Sequence, residues 1–392
     1  MGHGSEAQTP LRITPEFANA GKYHIESIDR KSGYQVQQKY RAAKRLEEAV
    51  RQGDYIWLGI AGASTPVGFG GLYSDLIERG IIDVIVCTGA NAYHDLHFAC
   101  GLPVRHGEHK VDDNALFKDE TTRIYTQFIH NRYTLKAQDM LNQKFLRRVL
   151  EKGKLKGKFS TAQLLYELGI EMLEDTSSFV VDKKGSFVLR AAENGVPIFL
   201  DSGSNHSLNM DFTLLSLEGY DPDTSPTEDM IQAAALSMHT QPQVNLFLGE
   251  GGPRNYIQTT APTASEIYYL SFDGSDTCIR FTTADVRAGA LSGSGQDEAV
   301  TWGKYPDADP RRDIEVWGEY TTTFPDVAGY VGQLRRNPRR LMNELPELST
   351  GLKKRVIENM SKIRKEQGKI EEMLPAVIKE EIRLRKKAGY EF

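Results

Sequence analysis

Cysteine is scarce in this chain: three residues in 392 (Cys87, Cys100 and Cys278), at no regular spacing. That excludes a disulfide framework and implies a reducing, cytoplasmic setting. Long apolar runs are missing too. No stretch approaches the roughly 18 residues that a membrane-spanning helix needs, so no membrane association is expected. Met1-Gly2-His3-Gly4-Ser5-Glu6 lacks an apolar signal core, and Glu6 stands where a myristoylation signal requires Ser or Thr. There is no G-x-S-x-G elbow, no P-loop lysine and no basic patch studded with aromatics. Serine hydrolase, P-loop ATPase and nucleic-acid-binding readings therefore have no support.

A strong charge bias is also absent, since the net charge is −5. The balance is uneven along the chain, however. The segment from Val331 carries +7, leaving −12 for the rest. An acidic body suits a small cationic substrate better than a nucleic acid. With 40% hydrophobic and 26% charged residues, the composition is that of a globular protein with a full core.

The apolar residues fall into short runs. Tyr55–Ile60 and Ile82–Val86 read as buried strands, followed by candidates at Pro197–Leu200, Val244–Leu248, Tyr268–Phe272, Ile279–Thr282 and Glu315–Trp317. Helical spacing marks Tyr34–Arg51, Leu72–Arg79, Thr161–Glu174 and Thr227–Met238. Buried strands alternating with helices predict an α/β fold, with a mostly parallel sheet flanked by helices on both faces. Three regions follow: a helical N-terminal extension (1–54), a catalytic α/β domain (55–330) and a basic helical extension (331–392). The last reads as a solvated helix, an oligomer clasp or an arm for an anionic partner.

Five of the strands run into loops rich in glycine or small residues: 59–71, 88–91, 201–205, 249–252 and 288–295. Ligands of parallel sheets bind beyond the carboxyl ends of the strands, so these loops predict one cofactor-binding face. The glycines at 59, 62, 68 and 70 miss the G-x-G-x-x-G spacing, and Asp83 starts its strand instead of ending one. Six His and Cys residues crowd into 87–109 (Cys87, His94, His97, Cys100, His106 and His109), without the spacing of a metal site. No metal is expected.

Asp297-Glu298-Ala299-Val300-Thr301-Trp302-Gly303-Lys304 sets a carboxylate, an indole and a lysine within eight residues. A lysine desolvated against an aromatic wall becomes a nucleophile toward carbonyl and imine carbons. The run resembles the D-E-A-V-S-W-G-K signature of the deoxyhypusine synthase family, with one conservative change. Other pieces follow in the same order: Val84–Ala90 with Asp95-Leu96, Leu248-Gly249-Glu250-Gly251, Thr283-Ala284 and Phe324-Pro325. The wording of Gly62–Gly70 and Thr88–His97 is similar to the bacterial deoxyhypusine synthase-like branch, which includes homospermidine-forming enzymes.

The resemblance implies a Rossmann-like fold, NAD as bound redox cofactor, small polyamine substrates and a homotetramer with sites at subunit interfaces. It places Lys304 as the nucleophile, Trp302 as the aromatic wall and Glu298 as the partner of a polyamine ammonium. Thr88, Gly89, Asp95, Gly251, Thr283, Ala284 and Glu319 fall on or near the NAD loops. Asn255 falls within the family's substrate-binding K-H-H, here Arg254-Asn255-Tyr256. Two family carboxylates are replaced, by Met210 and Leu291. The implied activity is NAD-dependent aminobutyl transfer through a lysine imine, making homospermidine or a related polyamine. Alternatives are a true deoxyhypusine synthase acting on a lysine of a translation factor, and a non-catalytic NAD-binding protein working through its basic tail.

Overall fold

The computed structural model describes residues 6–28 and 32–391. The readings made above for Met1–Ser5 and for Phe392 lie outside these residues. Six strands form one wholly parallel sheet: β1 (Tyr55–Ile60), β2 (Val84–Cys87), β3 (Ile198–Leu200), β4 (Gln243–Leu248), β5 (Thr277–Thr282) and β6 (Asp313–Trp317). Their order across the sheet is β3-β2-β1-β4-β5-β6. From β1 the chain winds outward in one direction, then returns to β4 and winds outward in the other. This is the doubly wound order of dinucleotide-binding folds, and its switch point lies between β1 and β4. The two strands run in register from Tyr55 beside Gln243 to Ile60 beside Leu248.

Burial explains why these segments are strands. Every residue of β2, β3, β4 and β5 is buried, as parallel strands covered by helices on both faces require. The strand expected at Tyr268–Phe272 does not form. Instead a π-helical turn, Thr263–Ile267, leads into irregular chain with Tyr269 in the left-handed region (φ 51°). The carbonyls of Tyr268 and Tyr269 accept from the Asn359 side chain (3.0 and 3.2 Å), not from a neighbouring strand. A small antiparallel sheet of Val104–His106, Thr121–Ile124 and Gln127–His130 was not anticipated from the sequence.

The flanking helices that matter here are α1 (Phe69–Glu78), α2 (Gly89–Ala99), α3 (Phe187–Asn194), α4 (Pro226–His239), α5 (Gly252–Pro262), α6 (Gln296–Thr301), α7 (Tyr320–Val331), α8 (Leu345–Glu358) and α9 (Met360–Lys387). The 88–91 segment, expected as a loop, is Thr88 at the N-cap followed directly by α2. A strap of residues 7–13 passes behind the loop from Gly62 to Gly70. Ala7 bridges Arg105, Leu11 N–H donates to Gly68 O (2.8 Å), and Ile13 N–H donates to Asp75 (2.6 Å). Gly71 is required there, because a Cβ would meet Leu11 O at 2.1 Å. Among the described residues no helix is long and apolar enough to cross a membrane.

Candidate active site

Lys304 is held by the end of α6. Trp302 terminates that helix, Gly303 turns left-handed (φ 65°), and Lys304 N–H reaches back to Ala299 O at 3.2 Å. Gly274 (φ 86°) packs on the Lys304 carbonyl, which also accepts from Ser275 N–H at 3.2 Å. The backbone is thus fixed on both sides. Lys304 is 8% exposed, and its Nζ lies 5.9 Å from the Trp302 ring centre. Burial, aided by the positive charge of Arg254, lowers the Lys304 pKa, and Glu298 opposes the shift. This is the direction that frees an amine lone pair. Trp302 and Glu298 themselves face solvent.

Beside the lysine stands a buried ionic cluster. The Arg254 guanidinium, at 0% exposure, donates to Glu250 (2.7 Å), Leu291 O (3.2 Å) and Ser294 O (2.7 Å). Arg280, projecting from β5, donates to Ser294 O (3.1 Å) and pairs with Glu315 (3.0 Å) and Glu250 (3.6 Å). Burial raises the Glu250 pKa against the pull of the two arginines. The cluster is not saturated: Glu250 Oε1, Arg254 Nε and Arg280 Nε are buried without a hydrogen-bond partner. Most buried polar atoms in folded proteins have a partner, so three unpaired ones in a single cluster ask for an explanation. Leu291 stands in a loop tied to Arg254 by its own carbonyl.

The expected cofactor residues share the same sheet edge. Thr88 and Gly89 follow β2, Gly251 follows β4, Thr283 and Ala284 follow β5, and Glu319 follows β6. Thr88 Oγ1 donates to Gly62 O (2.6 Å), joining the first two loops. Gly89 packs so tightly that a Cβ would meet His206 Cβ at 2.1 Å. Gly251 needs its φ of 70°, and the N-terminus of α5 opens just beyond it. Glu319 caps α7, accepting from Thr321 N–H (2.9 Å), while the neighbouring Tyr320 hydroxyl donates to Ala61 O (3.0 Å). Asn255 lies in the first turn of α5, half-buried.

Asp95 is placed differently from the expectation. It is fully buried and accepts from Ser186 Oγ (2.5 Å), Phe187 N–H (3.2 Å) and Val188 N–H (3.1 Å), so it caps α3 behind the loop. Burial pushes its carboxyl up to about 7. It braces the start of α3 behind the loop from Gly62 to Gly70. The histidine-rich stretch is also structural: His94 Nδ1 and His97 Nε2 lie 3.0 Å apart, and burial lowers their pKa values to about 4 and about 3. Among the described residues no three His, Cys, Asp or Glu side chains gather as metal ligands.

Sequence reasoning missed Arg280 and the pairing of Glu250 with Arg254. An arginine inside the apolar strand Cys278-Ile279-Arg280-Phe281 was the available signal.

A family model for deoxyhypusine synthase matches residues 25–331. The chain belongs to the deoxyhypusine synthase family. A deoxyhypusine synthase-like protein of Nostoc sp. is 31% identical over 303 residues, covering 76% of this chain and 77% of the relative. A Methanosarcina acetivorans protein named "Probable deoxyhypusine synthase 2" is 28% identical over 286 residues, covering 73% of this chain and 79% of the relative. In fold, the chain is similar to a solved Entamoeba histolytica protein assigned to deoxyhypusine synthase. That match has a TM-score of 0.50 at 13% identity and covers 80% of this chain and 94% of the other.

Proposed function

We propose that this family member is an NAD-dependent transferase that moves an aminobutyl group between small amines through an imine on Lys304. The observation that carries this reading is the buried lysine whose pKa is lowered by its surroundings. The doubly wound strand order, the left-handed Gly251 and the helix N-terminus beyond it suit a dinucleotide diphosphate. Thr88, Gly89, Gly251, Thr283, Ala284 and Glu319 are the residues that would line it. NAD would supply the hydride acceptor that oxidises the donor carbon, and the same hydride would return to reduce the product.

The protein's own part is amine exchange. Neutral Lys304 attacks the carbon of the donor imine, a C–N bond forms, and the donor's other amine leaves with a proton. An acceptor amine then attacks the lysine imine and releases Lys304. The exposed Trp302 face and Glu298 carboxylate offer a cation two kinds of partner. Their exposure in one chain suits the interface-sited tetramer that the family likeness implies. Met210, 67% exposed, and Leu291 supply no carboxylate, which favours a small diamine acceptor such as putrescine, giving homospermidine. The relatives named deoxyhypusine synthase keep a protein lysine as the second acceptor to test.

Borohydride trapping tests the reading. The protein is incubated with NAD and separately with putrescine, spermidine or agmatine, then reduced and mapped by peptide mass spectrometry. A mass adduct on Lys304 is expected, and the amine that gives it names the donor. Absence of any adduct with all three, from protein that binds NAD, overturns it.

A further inference from the structure

Helix α9 leaves the body of the protein with one buried residue, Ile363. Beyond it Ile370, Met373, Leu374, Val377 and Leu384 fall with Ile363 on one stripe about 100° wide, at 100° per residue. Pro375 stands about 140° round from Ile370, so its missing N–H interrupts the outer face and not the stripe. At the root of this helix lies an apolar groove of about 250 Å³, lined by Ile231, Tyr268, Leu352, Val356 and Ile357. Ile357 is 70% exposed.

The helix cannot cover its own groove. One residue, Asn359, separates α8 from α9, and its side chain is bonded to Tyr268 O and Tyr269 O. At 1.5 Å per residue, Val377 is carried about 27 Å beyond that junction.

The stripe is complementary to itself. About the midpoint between Met373 and Leu374, an antiparallel copy sets Met373 beside the partner's Leu374 and Ile370 beside the partner's Val377. The same register brings the partner's Leu384 to the root of the helix, and Ile357, on the rim of the groove, to the level of the partner's Tyr390. Glu366 and Glu381 also meet, but each already has a cation on its own helix: Lys369 at 2.7 Å and Arg385 at 2.5 Å. A parallel pair would instead press together two Arg383-Leu384-Arg385-Lys386-Lys387 ends.

The area is adequate as well. Ile357, Ile370, Met373, Leu374, Val377, Ile378, Leu384 and Tyr390 are each 44–70% exposed. Leaving out Ile378, which stands about 40° beyond the stripe, they offer about 700 Å² per copy at roughly 100 Å² apiece, within the share of a standard stable interface. We infer that α9 is an interaction arm: two copies of this chain pair through antiparallel α9 helices, each seating its Tyr390 end in the other's apolar groove.

Engineered cysteines test the register, because the three native cysteines are all buried. Full-length Ile370→Cys and Val377→Cys chains are mixed and oxidised under mild conditions. Disulfides between the two variants should exceed those of either variant with itself at least tenfold. Equal self-linking, or no linking, overturns the inference. The doubly substituted Ile370→Glu, Val377→Glu chain keeps the body intact and should show a lower mass by sedimentation than the unaltered protein. If its mass is unchanged while binding to anionic lipid vesicles is lost, the arm serves a membrane surface and the pairing is wrong.

Discussion

Two buried ionic clusters sit at opposite ends of the same sheet, and they are finished to different degrees. At the amino ends of the strands, Asp83 accepts from Ile56 N–H (2.8 Å) and pairs with Arg336 (2.5 Å) and Arg339 (3.4 Å). Arg336 also donates to Asp54 O (2.6 Å) and Ile81 O (3.1 Å). Among the described residues, none of the buried polar atoms of these three side chains lacks a partner. At the carboxyl ends, Glu250, Arg254 and Arg280 each keep a buried atom unpaired, and Lys304 stands beside them with a lowered pKa. A saturated cluster fastens chain to chain, here the segment after α7 to the sheet. An unsaturated one keeps hydrogen-bonding capacity that the protein itself does not use.

The sharpest way to break this comparison is Lys304→Arg. A guanidinium stays charged and cannot attack an imine, so transfer should fall by at least about 10³-fold, or about 4 kcal/mol in the barrier. NAD binding, followed by calorimetry, should change little. Retained turnover would remove Lys304 from the chemistry.

Next in size is Asp83→Asn, at the opposite end. It leaves two buried guanidinium groups without their carboxylate and should lower the stability read from urea unfolding by about 3 kcal/mol. Folded enzyme should keep its kcat.

The smallest effect sharpens the comparison. Arg254→Met removes a charge that helps to keep Lys304 neutral, so the acidic limb of the pH–rate profile should move to higher pH. Activity near pH 7 then drops, while Arg254→Lys, which keeps the charge, should hold the limb near its original place. An unmoved limb in the Met variant would reduce Arg254 to a loop anchor.

The sheet was legible because parallel strands covered on both faces are short, nearly unbroken apolar runs. Tyr55–Ile60 is the clearest case, predicted and observed with the same ends. Where apolar residues serve another purpose the same signal misled. Tyr268 and Leu270 pack on the cluster beneath α8, and their stretch is no strand. The antiparallel hairpin at 121–130 escaped notice because its turn, Tyr125-Thr126, has no glycine or asparagine, although Tyr125 adopts φ 52°. In the site, the eight-residue run announced Lys304 and Trp302. The Glu250–Arg254–Arg280 cluster did not announce itself, since Arg280 sits in β5 while Glu250 and Arg254 stand in the loop and helix that follow β4, and only the pairing of β4 with β5 unites them.

The strap at 7–13 bears on where this protein can be divided. The family likeness covers 25–331, yet the backbone of Gly68 and the Asp75 carboxylate are both bonded to residues before that limit. A chain trimmed to the shared region would keep each residue named in the chemistry. It would still lose the backing of the loop from Gly62 to Gly70, so the folded unit is longer than the region the family model matches.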